Sequence, residues 1–301
     1  MDTPKKLMKA KPESIYVKLA KVAGKAQDED AKLIGLGAYT KIVGDAGISV
    51  SRMSPIPVTT GNALSSASTL WAASLAVDKM NFVSKENGIY QGKAMVVGAT
   101  GSIGQVTAKM LAKSWRELVI VAPKPYKLAE MIEEIKIIAP QCHVEVDTNP
   151  DQLSQSCDLI VTTTSAQGKK IIDIEKVKSG AVICDVSRPF DVTKEDALKR
   201  PDVLVIASGE VELPGDVKVG CDIGLPGNVV YACLAETALL ALEGRFECFT
   251  LGRTIDLNKV IEIDHLSKKH GVKLAAIMGH DGEITDSVIE HCRQQAIQRQ
   301  G

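Results

Sequence analysis

Lys93–Gly104 reads KAMVVGATGSIG, and this stretch decides the fold. Ala94–Val97 is a short apolar run of the kind found in a strand buried on both faces. Gly98-Ala99-Thr100-Gly101-Ser102-Ile103-Gly104 then turns the chain into a helix expected over Ser102–Lys113. Gly98 permits the tight turn, Gly101 lets a pyrophosphate approach the backbone, and Gly104 lets helix and strand pack closely. The free N–H groups and dipole at the helix start suit an anion. All seven residues, Ala99, Thr100, Ser102 and Ile103 included, form the expected dinucleotide-binding turn. The bland alternative is a plain strand-to-helix turn.

Downstream, strands and helices alternate. Glu117–Ala122, His143–Val146, Asp158–Thr163, Ala181–Asp185 and Val203–Ala207 read as strands. Helices are expected over Pro125–Ile138 and near Asp173–Lys178. Near-continuous Val/Ile runs between helices imply a parallel sheet covered on both faces, a doubly wound Rossmann-type α/β fold. NAD-binding sheets place an acid near the end of the second strand. Here that strand runs into Pro123-Lys124-Pro125-Tyr126-Lys127, so Lys124 and Lys127 point to the 2′-phosphate of NADP. Thr164, Ser165 and Ser187 stand at the carboxyl ends of the fourth and fifth strands and are candidate nicotinamide-side contacts.

Upstream, Ser14–Val22 has helical spacing, Lys32–Gly37 reads as a short strand, Pro55–Thr60 as extended, and Ala63–Met80 as a long small-residue helix. Beyond the sheet, Gly209–Gly220 reads as a hairpin turning on Pro214-Gly215-Asp216. Helical patterns follow over Val229–Glu243, Leu257–Lys269 and Asp286–Gln298. The expected division is a smaller α/β substrate region over 1–88, the nucleotide domain over 89–222, and C-terminal helices over 223–301 that pack back on the first region.

Composition sets further bounds. The chain has 301 residues, with Lys+Arg 36 against Asp+Glu 37 and 4% aromatics. So balanced a charge and so few aromatic rings argue against nucleic acid as a partner. No apolar run reaches the ~18 residues a membrane-spanning helix needs, so no membrane insertion is expected. Seven cysteines without a Cys-x-x-Cys pair give no support to a zinc or redox motif, and no metal is expected. With no signal-peptide pattern, they read as reduced thiols of a cytoplasmic protein. The five histidines read as structural or surface residues. Whether the chain acts as a monomer or a homo-oligomer is left open.

Cys233 falls near the start of the helix expected from Val229, where the dipole favours a thiolate. Residue type alone leaves it either an inert core thiol or a nucleophile. Gly35–Thr40 (GLGAYT), Thr59–Asn62 (TTGN), Val96–Gly104, Tyr231–Gly244 (YACLAETALLALEG) and Leu251–Arg253 together resemble the long-chain acyl-(acyl-carrier-protein) reductases, and their shikimate- and glutamyl-tRNA-reductase-like relatives. The stretches keep the family's order. The shikimate dehydrogenase pattern Asn-Val-Thr-x-Pro-x-Lys is absent. Members of the family begin with a further N-terminal segment, ahead of the helix that precedes Gly35–Thr40.

The resemblance implies that Cys233 accepts an acyl group from an acyl-carrier-protein or CoA thioester, that NADPH reduces it, and that an aldehyde leaves. Thr60, Asn62 and backbone N–H groups near Asn228 are then candidates for holding the oxyanion. Glu236, one turn beyond Cys233, either tunes the site or caps a polar contact. The rival readings are a dehydrogenase of a small carbonyl or amino-acid-type substrate without a covalent intermediate, and a non-catalytic NADP-binding module.

Overall fold

Runs of Val, Ile and Leu with few polar interruptions are stable in a strand only when both of its faces are covered. Six such runs, Ile89–Val97, Trp115–Val121, His143–Asp147, Leu159–Thr162, Val182–Asp185 and Leu204–Ala207, form parallel strands of one sheet. Numbered first to sixth along the chain, they lie in the order 3-2-1-4-5-6. The hairpin of Met278–Gly279 and Gly282–Glu283 adds antiparallel to the sixth. Met95, Val97, Val119, Val121, Ile160 and Ile183 belong to one core cluster. Their alternates, such as Val96, Ile120 and Val161, are equally buried. The strand order reverses beside the first strand, and ligands bind such sheets at the carboxyl ends flanking that point.

The computed structural model describes residues 10–37, 40, 44–164, 170–187, 189–207, 210–217 and 220–301. The chain forms two compact units, one of Met1–Ala67 with Gly209–Ala275 and one of Ser68–Ser208 with Ala276–Gly301. The segment 223–301 is thus shared between units: helix Leu257–His270 belongs to the first and helix Asp286–Gln300 to the second.

In the first unit, helix Pro12–Asp28 carries Tyr16 and Leu19 onto a small core of Leu36, Val50 and Val58. Ile34–Gly35 and Val58–Thr59 pair as a short parallel ladder. Two expectations are corrected here. Among the described residues, Glu210–Glu212 does not pair with the stretch after Pro214 expected as the hairpin's second arm. It pairs antiparallel with Val229–Tyr231 and with Lys273–Leu274. Val229 and Val230 are β-branched and take the pairing that exposed Val217 does not. The helix expected from Val229 therefore starts later, at Ala232, and runs to Leu242. In the second unit, the helix expected near Asp173–Lys178 is only a 3-10 turn, Ile174–Lys176.

Among the described residues no helix is long and apolar enough to cross a membrane. None of them form a group of three or more His, Cys, Asp or Glu able to hold a metal ion.

Candidate functional site

Cys233 is the second residue of helix Ala232–Leu242, and Tyr231 at the helix start makes no side-chain cap. The thiol is free and half-buried. The buried stripe of this helix is Ala232, Ala235, Glu236, Leu239 and Leu240. Four of these five are apolar, and the exception is a carboxylate with no solvent exposure.

Glu236 is held by donors from two other segments of its unit. Its carboxylate accepts hydrogen bonds from Thr59 Oγ1 at 2.5 Å, Thr250 Oγ1 at 2.8 Å and the Leu64 N–H at 3.0 Å. Thr250 N–H donates in turn to Thr59 Oγ1 at 3.0 Å. Leu64 is third in helix Asn62–Met80, so its N–H is one of the donors a helix start leaves without an intrahelical partner. A carboxylate there also meets the positive end of the helix dipole. Of the two sequence readings of Glu236, the geometry matches the polar cap.

Gly61 links this cap to the thiol. Its φ is +72°, and a Cβ built on it would lie 2.3 Å from Cys233 Cα and 2.5 Å from Cys233 Cβ. Only glycine lets the Thr59–Asn62 turn lie against the Cys233 backbone in that conformation. Gly61 lies within the Thr59–Asn62 motif, and nothing in the local sequence signals this contact with a residue 172 positions on. Thr60 is fully buried, and its hydroxyl donates to Thr250 O at 3.1 Å. Asn62 is 8% exposed, and its amide has no hydrogen-bond partner among the described residues. Asn228 donates its side-chain amide to Leu213 O at 2.6 Å. The structure therefore brings Thr59 to Glu236 and Gly61 against the Cys233 backbone, while the Thr60 hydroxyl is committed to Thr250 O.

The second unit holds the glycine turn. Gly98 has φ +86°, and its N–H and that of Ala99 donate to Val121 O at 3.0 and 3.1 Å. A Cβ on Gly104 would lie 2.4 Å from Gly98 O and 2.7 Å from Thr163 Oγ1. Thr163 Oγ1 itself donates to Val97 O at 3.0 Å. Gly101 is exposed and makes no side-chain cap of helix Ser102–Ser114. Thr100, Ser102 and Ile103 are partly exposed beside it, while Ala99 and Gly104 are buried. The turn thus presents uncapped N–H groups and close backbone packing, and these residues fit a dinucleotide pyrophosphate.

Lys124 and Lys127 flank a 3-10 turn after the second strand, both exposed, and neither makes an ion pair among the described residues. At the ends of the fourth and fifth strands lie two carboxylates that sequence reasoning did not single out. Asp185 accepts from Thr162 Oγ1 at 2.9 Å, Ser187 N–H at 3.0 Å and Val192 N–H at 2.9 Å. Burial raises its pKa above the usual carboxylate value despite those bonds, and the nearby Asp191 charge adds to the rise. Asp191 accepts from Thr164 Oγ1 at 2.6 Å and Ser187 Oγ at 2.7 Å. Asp185 and Ser187 stand two residues apart at one strand end, whereas Asp191's partner Thr164 lies beyond the end of the fourth strand. Ser165 lies outside the described residues.

Residues 93–232 match the family model described as the NAD-binding domain of semialdehyde dehydrogenase. With the strand order and the glycine turn, they constitute a nicotinamide-nucleotide-binding domain of the dehydrogenase and reductase type. The chain is similar to the aminotransferase PigE of a Serratia species, at 33% identity over 254 residues, covering 81% of this chain and 28% of that protein. It is also similar to the long-chain acyl-(acyl-carrier-protein) reductase of Synechococcus elongatus, at 25% identity over 199 residues, covering 63% of this chain and 55% of that one. The chain thus spans about a quarter and about half the length of these two curated relatives. Among solved structures, quinate dehydrogenase from Corynebacterium glutamicum in complex with NAD aligns with a TM-score of 0.33 at 13% identity, covering 76% of this chain and 62% of that one.

Proposed function

We propose that this chain reduces an acyl thioester to an aldehyde at the expense of NADPH, with Cys233 carrying the acyl group. The observation that supports this reading most is the seating of Cys233: at the start of a helix, half-buried, on a glycine turn that a buried carboxylate holds in place. A structural core thiol has no need of such a mount.

The chain's own chemistry balances. The Cys233 thiolate adds to the thioester carbonyl carbon, and the C–S bond to the carrier breaks. The carrier leaves as a thiolate and the acyl group stays on Sγ. Helix-start N–H groups are suited to the negative charge that develops on the carbonyl oxygen. The bound nucleotide supplies the hydride that takes the Cys-held acyl group to the aldehyde level. Cys233 leaves as a thiolate and is ready to react again. Gly98–Gly104 would hold the pyrophosphate, and Lys124 and Lys127 the 2′-phosphate, which favours NADP over NAD. The carrier is an acyl-carrier protein or CoA. The acyl-(acyl-carrier-protein) reductase relative supports the substrate class. The other relative is an aminotransferase, and such an enzyme needs a carbonyl acceptor, which an aldehyde provides.

Incubation with palmitoyl-CoA or palmitoyl-acyl-carrier protein, without nucleotide, is expected to add one acyl group to Cys233 by mass spectrometry. Aldehyde production at the wild-type rate in Cys233→Ala would overturn the covalent route. It would favour the small-carbonyl dehydrogenase instead, a reading that the semialdehyde dehydrogenase match supports.

A further inference from the structure

Asp191 is 7% exposed, lies beyond the fifth strand, and has no part in the chemistry proposed above. Its two carboxylate oxygens take the hydroxyl protons of Thr164 and Ser187, at 2.6 and 2.7 Å. Thr164 follows the fourth strand and Ser187 the fifth, and these are hydrogen-bonded neighbours. One side chain therefore sets the hydroxyl direction at two adjacent strand ends. Its own segment is anchored on both sides. Val192 N–H donates to Asp185 at 2.9 Å, and Val192 O meets His280 Nε2 at 2.9 Å. The neighbouring Phe190 ring lies 4.6 Å from the His280 ring.

In a doubly wound sheet, one half holds the adenosine side of a dinucleotide and the other the nicotinamide side. Strands one to three carry the glycine turn and the two lysines, so strands four to six face the nicotinamide. A hydroxyl has a single proton. Once that proton is given to a carboxylate, the oxygen can serve a ligand only as an acceptor. The matching group on a nicotinamide ring is the N–H₂ of its carboxamide, a pure donor.

We propose that Asp191 is a positioning residue for the nicotinamide end of the cofactor, fixing the Thr164 and Ser187 oxygens as acceptors for the carboxamide N–H₂. The proposal rests on the reading of the glycine turn as a dinucleotide site, and its test separates the two. Affinities are measured by calorimetry for NADPH and for 2′-phospho-ADP-ribose, which lacks the nicotinamide ring. Asp191→Asn is expected to weaken NADPH about ten-fold, the loss of one well-placed hydrogen bond, and to leave 2′-phospho-ADP-ribose within two-fold. Equal weakening of both ligands would mean a merely structural role and overturn the proposal. Unchanged affinity for both would overturn it as well. If Asp191→Asn does not fold, the double variant Thr164→Val with Ser187→Ala carries the same test, with the same split expected and an equal or absent effect overturning it. A wild-type chain that binds neither ligand would overturn the nucleotide reading itself, and this proposal with it.

Discussion

Two strand–glycine–helix turns among the described residues treat the start of their helices in opposite ways. In the nucleotide domain, Val97 leads through Gly98 and Gly101 into helix Ser102–Ser114, and no side chain caps that start. In the other unit, Thr59 leads through Gly61 into helix Asn62–Met80, and the Glu236 carboxylate already occupies the Leu64 N–H. Both first glycines have positive φ, +86° at Gly98 and +72° at Gly61. A Cβ on Gly101 would meet nothing nearer than Gly98 O at 3.3 Å, while a Cβ on Gly61 would run into Cys233. The same local geometry therefore serves binding when its anion comes from outside. It serves as a mount when the anion is the protein's own.

The strongest way to break this comparison is to put a methyl group into each turn. Gly61→Ala requires a left-handed alanine and a shift of the Cys233 backbone, an expected cost of about 2–4 kcal/mol. Thermal unfolding should show a marked fall in Tm, with Cys233 acylation lost in whatever remains folded. A variant with wild-type Tm and acylation would show that the turn does not bear on the thiol. Gly104→Ala meets Gly98 O and Thr163 Oγ1, an expected cost of about 1–3 kcal/mol. Here the readout is NADPH affinity, which should fall while alkylation of Cys233 in the folded protein is unchanged. Loss of both properties in both variants would mean that the two turns are not independent devices.

How much of this was legible beforehand follows from range. The sheet, its flanking helices and the Gly98–Gly104 turn are written in contiguous residues, as periodicity, β-branching and glycine spacing. The partner of Leu64 is 172 positions away in the chain, and no local pattern signals that a Glu in an apolar helix stripe caps a different helix. The Val229–Tyr231 strand was hidden because its β-branched residues run straight into a helical pattern, and only the pairing with Glu210–Glu212 separates them. Asp191 was hidden for the same reason as Glu236: one of its two hydroxyl donors follows the fourth strand, 27 positions away.

The next tests sharpen the contrast between an internal and an external anion. Glu236→Gln keeps the side chain's size but gives up the charge on its bonds to Thr59, Thr250 and Leu64. An expected cost of about 1–2 kcal/mol should lower Tm without altering NADPH affinity. Lys124→Glu acts on the other turn and reverses the pattern: Tm should hold, while NADPH affinity falls about ten-fold, more steeply at low salt. Undiminished NADPH affinity would remove the argument for NADP over NAD.

The smallest expected effect concerns the thiols, which differ between the units apart from Cys142, a half-buried thiol of the nucleotide unit. Cys221, Cys233 and Cys248 belong to the first unit, and each is exposed or half-buried. Cys157, Cys184 and Cys292 of the nucleotide unit are buried. Burial pushes the Cys157 and Cys292 thiols up to about 12. At pH 8 a thiol with such a pKa is ionised in only about one molecule in ten thousand, and the thiolate is the species that reacts. Iodoacetamide at pH 8 should therefore label first-unit cysteines while leaving Cys157 and Cys292 intact, as read by peptide mass spectrometry of the native protein. Raising the pH toward 10 increases the thiolate fraction of the buried pair about a hundred-fold, yet burial still excludes the reagent, so their labelling should rise only when the fold opens. Labelling of Cys157 as fast as Cys221 at pH 8 would show that the nucleotide unit opens readily. The contrast between a sealed sheet and an accessible thiol mount would then fail.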